Sequence, residues 1–193
     1  MQHIMLAAWW LIFGIIHSVF AAEQIKIFFK NIMGKGFKYY RLIYSLIAAV
    51  MVAYILYLNF TIHTVALWHP PLIEKIFVVV AGTVGLSIML ICIHKYFFDL
   101  SGIDVFFKKK TVNQLEINGL NKYVRHPLYS STLLFAWSFF FWQPVLSNLI
   151  SVFVITAYTI IGAYFEERKL LKTFGEDYRN YAAKVPMMLP KFM

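Results

Sequence analysis

The sequence predicts an all-α, polytopic membrane protein with five transmembrane helices, the last two forming a helical hairpin. Three observations carry this expectation. Of 193 residues, 61% are hydrophobic and 14% charged, against about 45–50% and roughly 25% in a soluble domain. Four long stretches, Ile4–Ala22, Leu42–Trp68, Ile76–His94 and His126–Phe165, contain no Asp, Glu, Lys or Arg. The basic residues fall in every second interval between the predicted spans.

A bilayer core of roughly 30 Å takes about 20 helical residues. The first stretch gives a span near 4–22; it lacks a basic leader and is longer than the apolar run of a signal peptide, so it is expected as a mature span. The second gives 42–62 and the third 72–94, separated by a short loop around His69-Pro70-Pro71. The fourth stretch is about twice the length of one crossing. It is interrupted at Gln143-Pro144, where proline removes a helix donor, and so reads as two helices, 127–143 and 145–165. Residues 1–193 are expected to form a single integral membrane domain.

Lys26, Lys30, Lys35, Lys38 and Arg41 lie between spans one and two, and Lys95, Lys108, Lys109, Lys110, Lys122 and Arg125 between spans three and four. Arg168, Lys169, Lys172, Arg179, Lys184 and Lys191 follow span five, which accounts for 17 of the 18 basic residues, Lys75 being the exception. Lys and Arg are retained on the cytoplasmic side, so the N-terminus is expected outside and the C-terminus in the cytoplasm. The net charge of +9 is spread over three juxtamembrane segments. That favours anionic headgroups over nucleic acid as the partner. The single cysteine, Cys92, excludes a disulfide framework. No two histidines share metal-ligand spacing on a helix face, so no metal is expected.

Ionisable groups at a membrane boundary are costly unless used, and two clusters flank the hairpin. Asn118-Gly119-Leu120-Asn121-Lys122-Tyr123-Val124-Arg125-His126-Pro127-Leu128-Tyr129 precedes it, and Tyr164-Phe165-Glu166-Glu167-Arg168 closes it. A hairpin returns the chain to the side it left, so Arg125-His126 and Glu166-Glu167 are expected at one depth. Pro127 suits the first turn of a helix, placing His126 near the N-cap with neighbouring N–H groups open to an anion. The glutamates are expected at a helix C-terminus, where the macrodipole disfavours negative charge. Two readings fit. A zwitterionic ligand could place its carboxylate at Arg125 and its ammonium at the glutamates, or the same charges could form a salt bridge that fastens the hairpin.

These residues also carry a resemblance. Gly119, Tyr123-Val-Arg125-His126-Pro127-Leu-Tyr129, Glu166-Glu167-Arg-Lys-Leu170, Phe174-Gly175-Glu-Asp-Tyr178-Arg-Asn-Tyr181 and Val185-Pro186-Met-Met-Leu-Pro190 together resemble the C-terminal half of the isoprenylcysteine carboxyl methyltransferase and phospholipid methyltransferase superfamily. Phe13-Gly14-Ile-Ile-His17-Ser18, Tyr40-Arg41-Leu-Ile-Tyr44-Ser45 and Phe98-Asp99-Leu100-Ser101-Gly102 are similar to a narrower branch, the methanethiol S-methyltransferase and NnrU-type membrane proteins.

The resemblance implies a membrane S-adenosylmethionine-dependent methyltransferase with its cofactor-binding half at about 115–193. Glu166 and Glu167 would hold the cofactor's amino and ribose end, with Gly119, Tyr123, His126, Pro127 and Tyr129 lining its pocket. Arg125 would stand nearest the reacting centre or the cofactor carboxylate. His17 is the candidate catalytic base or substrate contact, or else a histidine hydrogen-bonded to a neighbouring helix. Arg41, Tyr44 and Asp99 would complete the substrate side, Arg41 having a snorkelling anchor as its simpler role. The acceptor would be a small thiol or a lipid-like amphiphile, with membrane lipids as surroundings, and a monomer suffices for the chemistry. Competing functions are a non-catalytic NnrU-type membrane subunit or carrier, and a NADPH-dependent membrane reductase.

Overall fold

The computed structural model of the chain describes residues 1–103 and 114–190, the side chains of residues 98–100 excepted. Lys108, Lys109, Lys110 and Lys191 therefore lie outside the described residues, as does the side chain of Asp99. Among the described residues the regular elements are helices: α1 (Gln2–Ala21), α2 (Glu23–Met33), α3 (Tyr40–Thr61), α4 (Leu72–Ser101), α5 (Pro127–Trp142) and α6 (Leu146–Lys184). Short 3-10 turns cover Gly34–Tyr39 and Gly119–Lys122. The chain divides into two compact units, Met1–Val65 with Tyr96–Thr111 and Ala66–Lys95 with Val112–Met193.

In the first unit α1 and α3 run antiparallel. The register follows from side-chain pairs: His3 Nε2 lies 3.3 Å from Thr64 Oγ1, the rings of Trp9 and Tyr54 meet edge-on at 4.9 Å, and Tyr40 Oη donates to the Phe20 carbonyl at 2.8 Å. Leu6 and Trp10, one turn apart on α1, are buried with Ile55 and Leu58 of α3. The chain leaves α1 at Ala22 in extended conformation and enters α2. That helix has only 11 residues, about 16 Å, too short to cross a bilayer. Its Phe29 ring packs on Phe20 and Tyr40. Gly34, at φ +50°, ends α2 in a conformation open to glycine.

The second unit is built on the α5–α6 hairpin. The break at Gln143-Pro144 is closed by Asn148 Nδ2, which donates to the Gln143 carbonyl at 2.8 Å, and Trp137 Nε1 donates across the hairpin to Thr156 Oγ1 at 3.1 Å. The segment before α4 docks on that turn, where Leu67 N–H donates to the Pro144 carbonyl at 2.8 Å. Along the α4–α5 contact the backbones nearly touch: a Cβ on Gly85 would stand 2.9 Å from Phe135 N and 3.1 Å from the Ser131 carbonyl oxygen. Small residues permit such approach between membrane helices.

The distribution of polarity is that of a membrane protein. Buried positions include Asn59, Ser131, Ser138, Asn148, Ser151 and Thr159, while Leu11, Ile15, Val50, Phe77, Val80, Ile91 and Phe153 lie exposed. In lipid the apolar faces need no cover, and polar side chains bond inward. Among the described residues four runs are long and apolar enough to cross: Gln2–Ala21, Glu23–Thr61, Leu72–Phe97 and Leu146–Lys184. The fourth expected span, 127–143, is α5 and falls outside these four runs; it has 16 residues, about 24 Å, because Pro127 fixes its start and Gln143-Pro144 its end. The other difference concerns α6. Its helical run continues past the apolar stretch as far as a kink at Gly175, so Glu166 and Glu167 stand within a helix and not in its last turn. The macrodipole argument therefore does not apply to them.

Gly85→Ala should cost about 1–3 kcal/mol, the range for overpacking a filled interface, because its Cβ meets backbone that cannot swing aside. Gly162→Ala, with nothing within 4 Å of the added Cβ, should be neutral or slightly stabilising, as alanine is the better helix former. Thermal unfolding in detergent compares the two.

Candidate functional site

The approach to α5 begins at Gly119, whose φ of +64° suits glycine. Asn121 is buried in the following 3-10 turn; its side-chain N–H donates to the Arg125 carbonyl at 3.3 Å, and its own carbonyl accepts from Tyr181 Oη at 2.6 Å. His126 precedes a proline and takes a non-helical conformation as N-cap, with Pro127 opening the helix. The N–H groups of Arg125 and His126 then point away from α5. They donate to the carbonyls of Pro186 and Met187 at 2.9 and 3.1 Å and so hold the C-terminal segment. Ser130 Oγ adds a bond to the Met188 carbonyl at 2.7 Å.

Glu167 is the centre of this cluster. Its Oε1 accepts from Arg125 Nε at 2.9 Å and Tyr178 Oη at 2.5 Å, and its Oε2 accepts from Arg125 Nη2 at 2.7 Å. His126 Nε2 lies 2.7 Å from Oε1; an ionised carboxylate can only accept, which assigns the proton on that side of the ring to Nε2. Arg125 Nη1 donates to the carbonyls of Ala182 and Val185 at 2.9 and 2.6 Å. Burial alone would raise the Glu167 pKa, but the bonds from Arg125, Tyr178 and His126 outweigh it and hold the carboxyl below its usual range. Burial and the Glu167 carboxylate both push the Tyr178 phenol up. Glu166 stands apart: its side chain is 44% exposed, with Oε2 3.7 Å from His126 Nδ1. The rings of His126 and Tyr129 stack at 5.4 Å, and Tyr123 is 69% exposed.

Tyr178 reaches Glu167 only because the helix bends. Eleven residues of straight helix would separate them by about 16 Å. Gly175, at φ 53° and ψ −124°, breaks the helical run between them and turns the last arm back. The motif containing Gly175, Tyr178 and Tyr181 was visible in the sequence, but their contacts with Glu167 and Asn121 were not.

The first unit holds the other expected residues. Tyr44 Oη lies 2.7 Å from His17 Nε2 and 2.9 Å from Nδ1, which matches the reading of His17 as a histidine bonded to a neighbouring helix. His17, Arg41 and Tyr44 line one cavity of about 590 Å³. Gly102 was named in the sequence only as part of a motif. At φ +76° it packs so tightly on the start of α3 that a Cβ would stand 2.6 Å from Leu42 N and 2.8 Å from the Arg41 carbonyl carbon. Among the described residues there is no group of three or more His, Cys, Asp or Glu that could hold a metal ion.

Fold and polarity thus define an all-α integral membrane protein with a clasped charge cluster at the ends of its helical hairpin. The sequence profile of the NnrU protein family matches residues 5–191, and the chain belongs to that family. It is 28% identical over 93% of its length to a methanethiol S-methyltransferase of Crocosphaera subtropica, and 28% identical over 93% to methanethiol S-methyltransferase 1 of Bradyrhizobium diazoefficiens. It spans 71% and 64% of those two proteins. A methanethiol S-methyltransferase of Pseudomonas deceptionensis is 39% identical over 37% of the chain and 26% of that protein. No solved structure matches the chain.

Glu167→Gln and Tyr178→Phe should each destabilise the clasp by roughly 1.5–3 kcal/mol, as for hydrogen bonds to a charged group, and raise amide exchange in residues 182–188. The pH dependence has two limits. The Glu167 contribution is complete above the unfolded carboxylate value of about 4.3 and is lost as pH falls through the depressed folded value. The Tyr178 contribution is complete below about pH 10 and is lost as pH rises through its elevated folded value. Hydrogen exchange of the C-terminal segment against pH measures both.

Proposed function

We propose that the chain is an S-adenosylmethionine-dependent membrane methyltransferase acting on a thiol, with a lipid-like amphiphile as the less favoured acceptor. The observation that carries this is the alignment with methanethiol S-methyltransferases along 93% of the chain. In this reading five spans place the N-terminus outside and the charge cluster on the cytoplasmic side, where the cofactor is supplied.

The residues around the clasp suit the amino-acid end of that cofactor. Glu166 offers an accessible carboxylate to an ammonium or a ribose hydroxyl, the half-buried Tyr129 ring, stacked on the buried His126, offers an apolar face, and Gly119 leaves open space where a side chain would stand. Tyr123 and Pro127 border the same approach. Arg125 and Glu167, with their donors and acceptors engaged on one another and on the 182–187 segment, act as positioning residues that fix this face. The cofactor supplies an electrophilic methyl on a sulfonium, so the protein's work is alignment, exclusion of water and removal of the thiol proton. A thiol with a pKa near 8.5 needs a base at neutral pH. His17, oriented by Tyr44, is the group we assign to accept that proton, with Arg41 on the acceptor side; the side chain of Asp99, the remaining residue of the expected substrate set, lies outside the described residues. The thiol would give up its proton to His17, and the cofactor, when bound, would supply the methyl group to the sulfur.

The non-catalytic subunit reading has one observation in its favour: the Arg125–Glu167 clasp is complete without any ligand. Calorimetry separates the two. S-adenosylmethionine and S-adenosylhomocysteine should bind the detergent-purified protein with one-site saturation, and Glu166→Gln should weaken binding about tenfold while its thermal unfolding stays unchanged. A folded protein that binds neither would overturn the methyltransferase reading.

A further inference from the structure

The cavity of the first unit has features that methyl transfer to a small neutral thiol does not require. Its volume is about 590 Å³, within the range of about 300–1,000 Å³ typical of sites for drug-sized ligands. Methanethiol has two heavy atoms and no charge. Among the described residues the lining carries three cations, Lys26, Lys38 and Arg41, and no carboxylate, beside the rings of Phe20, Phe37 and Tyr44. Lys26 is already bonded to Glu23 at 3.1 Å, which makes Lys38 and Arg41 the principal anchors.

Arg41 is also held in place. The backbone at Arg41 and Leu42 is packed against Gly102, where a Cβ would approach Arg41 Cβ to 2.9 Å. The cations stand where the chain passes from α2 through the 3-10 turn into α3, at the boundary of the apolar stretches, and the aromatic wall continues from them along α1 and α3.

We propose that this cavity is a binding site for an amphiphilic anion: a phosphate or carboxylate head against Lys38 and Arg41, and a short apolar stem along Phe20, Phe37 and Tyr44. The cavity also holds His17, Tyr44 and Arg41, which the proposed function sets beside the acceptor; binding of the anion is read without methyl transfer, so it succeeds or fails separately from that reading. An anionic phospholipid headgroup and a soluble amphiphilic anion share this chemistry.

The test uses the full chain in a neutral detergent, with hexyl phosphate as probe. Calorimetry should give one saturable site, weakened about tenfold or more in the Lys38→Gln/Arg41→Gln double variant. The cavity-filling variant Ala48→Trp should weaken it similarly without altering charge. Lys30→Gln/Lys35→Gln, which removes the same number of charges from the same segment outside the cavity, should leave binding unchanged. Thermal unfolding checks that each variant is folded. In the second arm, native mass spectrometry compares retention of phosphatidylglycerol and phosphatidylcholine. Selective retention of phosphatidylglycerol, displaced by hexyl phosphate, supports the site with a lipid as its source. Hexyl phosphate binding without lipid retention supports it with a soluble anion. Absence of saturable binding, or equal weakening by Lys30→Gln/Lys35→Gln, overturns the proposal.

Discussion

The second unit depends on the satisfaction of one carboxylate. Glu167 lies where the apolar part of α6 gives way to its charged arm, and a partly buried charge there is tolerated only when its oxygens are bonded. Its three donor residues come from two places: Arg125 and His126 from the entry to α5, and Tyr178 from beyond the Gly175 bend. Meeting that requirement fixes the depth of the hairpin ends relative to each other and demands the bend. It also spends Arg125, whose remaining donors then organise the carbonyls of Ala182 and Val185. The order of the C-terminal segment is thus a consequence of charge compensation, not of helix propensity.

The rest of the fold follows a different rule. Away from the charge cluster little apolar area is buried, and what holds the helices together is close backbone approach at Gly85 and hydrogen bonding such as Trp137 to Thr156. In lipid there is no hydrophobic drive between helices, so packing and polar contacts carry the association. This explains why serines and asparagines occupy buried positions while phenylalanines and isoleucines face outward. The same logic makes small residues at contacts more sensitive than large residues on the lipid face.

Much of this was legible in the sequence because charge and proline are strong markers in a membrane chain. The charge-free stretches locate α1, α3 and α4 to within a few residues at most ends, and Gln143-Pro144 locates the hairpin turn. That topology alone brings Arg125 and His126 to the level of the glutamates. What the sequence did not disclose depends on rotation and bending. Glu166 and Glu167 are neighbours, but consecutive helical residues point about 100° apart, and only the packed orientation decides which of the two meets Arg125. A glycine at 175 permits a bend without requiring one, so the continuation of α6 and the return of Tyr178 were hidden. Gly102 was hidden for a similar reason, since its role lies in contact with residues some sixty positions earlier.

The two units end with opposite electrostatic problems. In the second, the cations of Arg125 and the protonated side of His126 are absorbed by Glu167, and the carboxylate left accessible is Glu166. In the first, Lys38 and Arg41 line a cavity with no carboxylate among the described residues of its wall. A cluster that closes its own charge pairs is preorganised and offers a ligand only what remains outside them, here a negative group suited to an ammonium. A cavity lined by like charges is complemented by an anion entering it. The chain therefore presents one site matched to positive charge and one matched to negative charge, each defined by which of its ionic groups the fold has already paired.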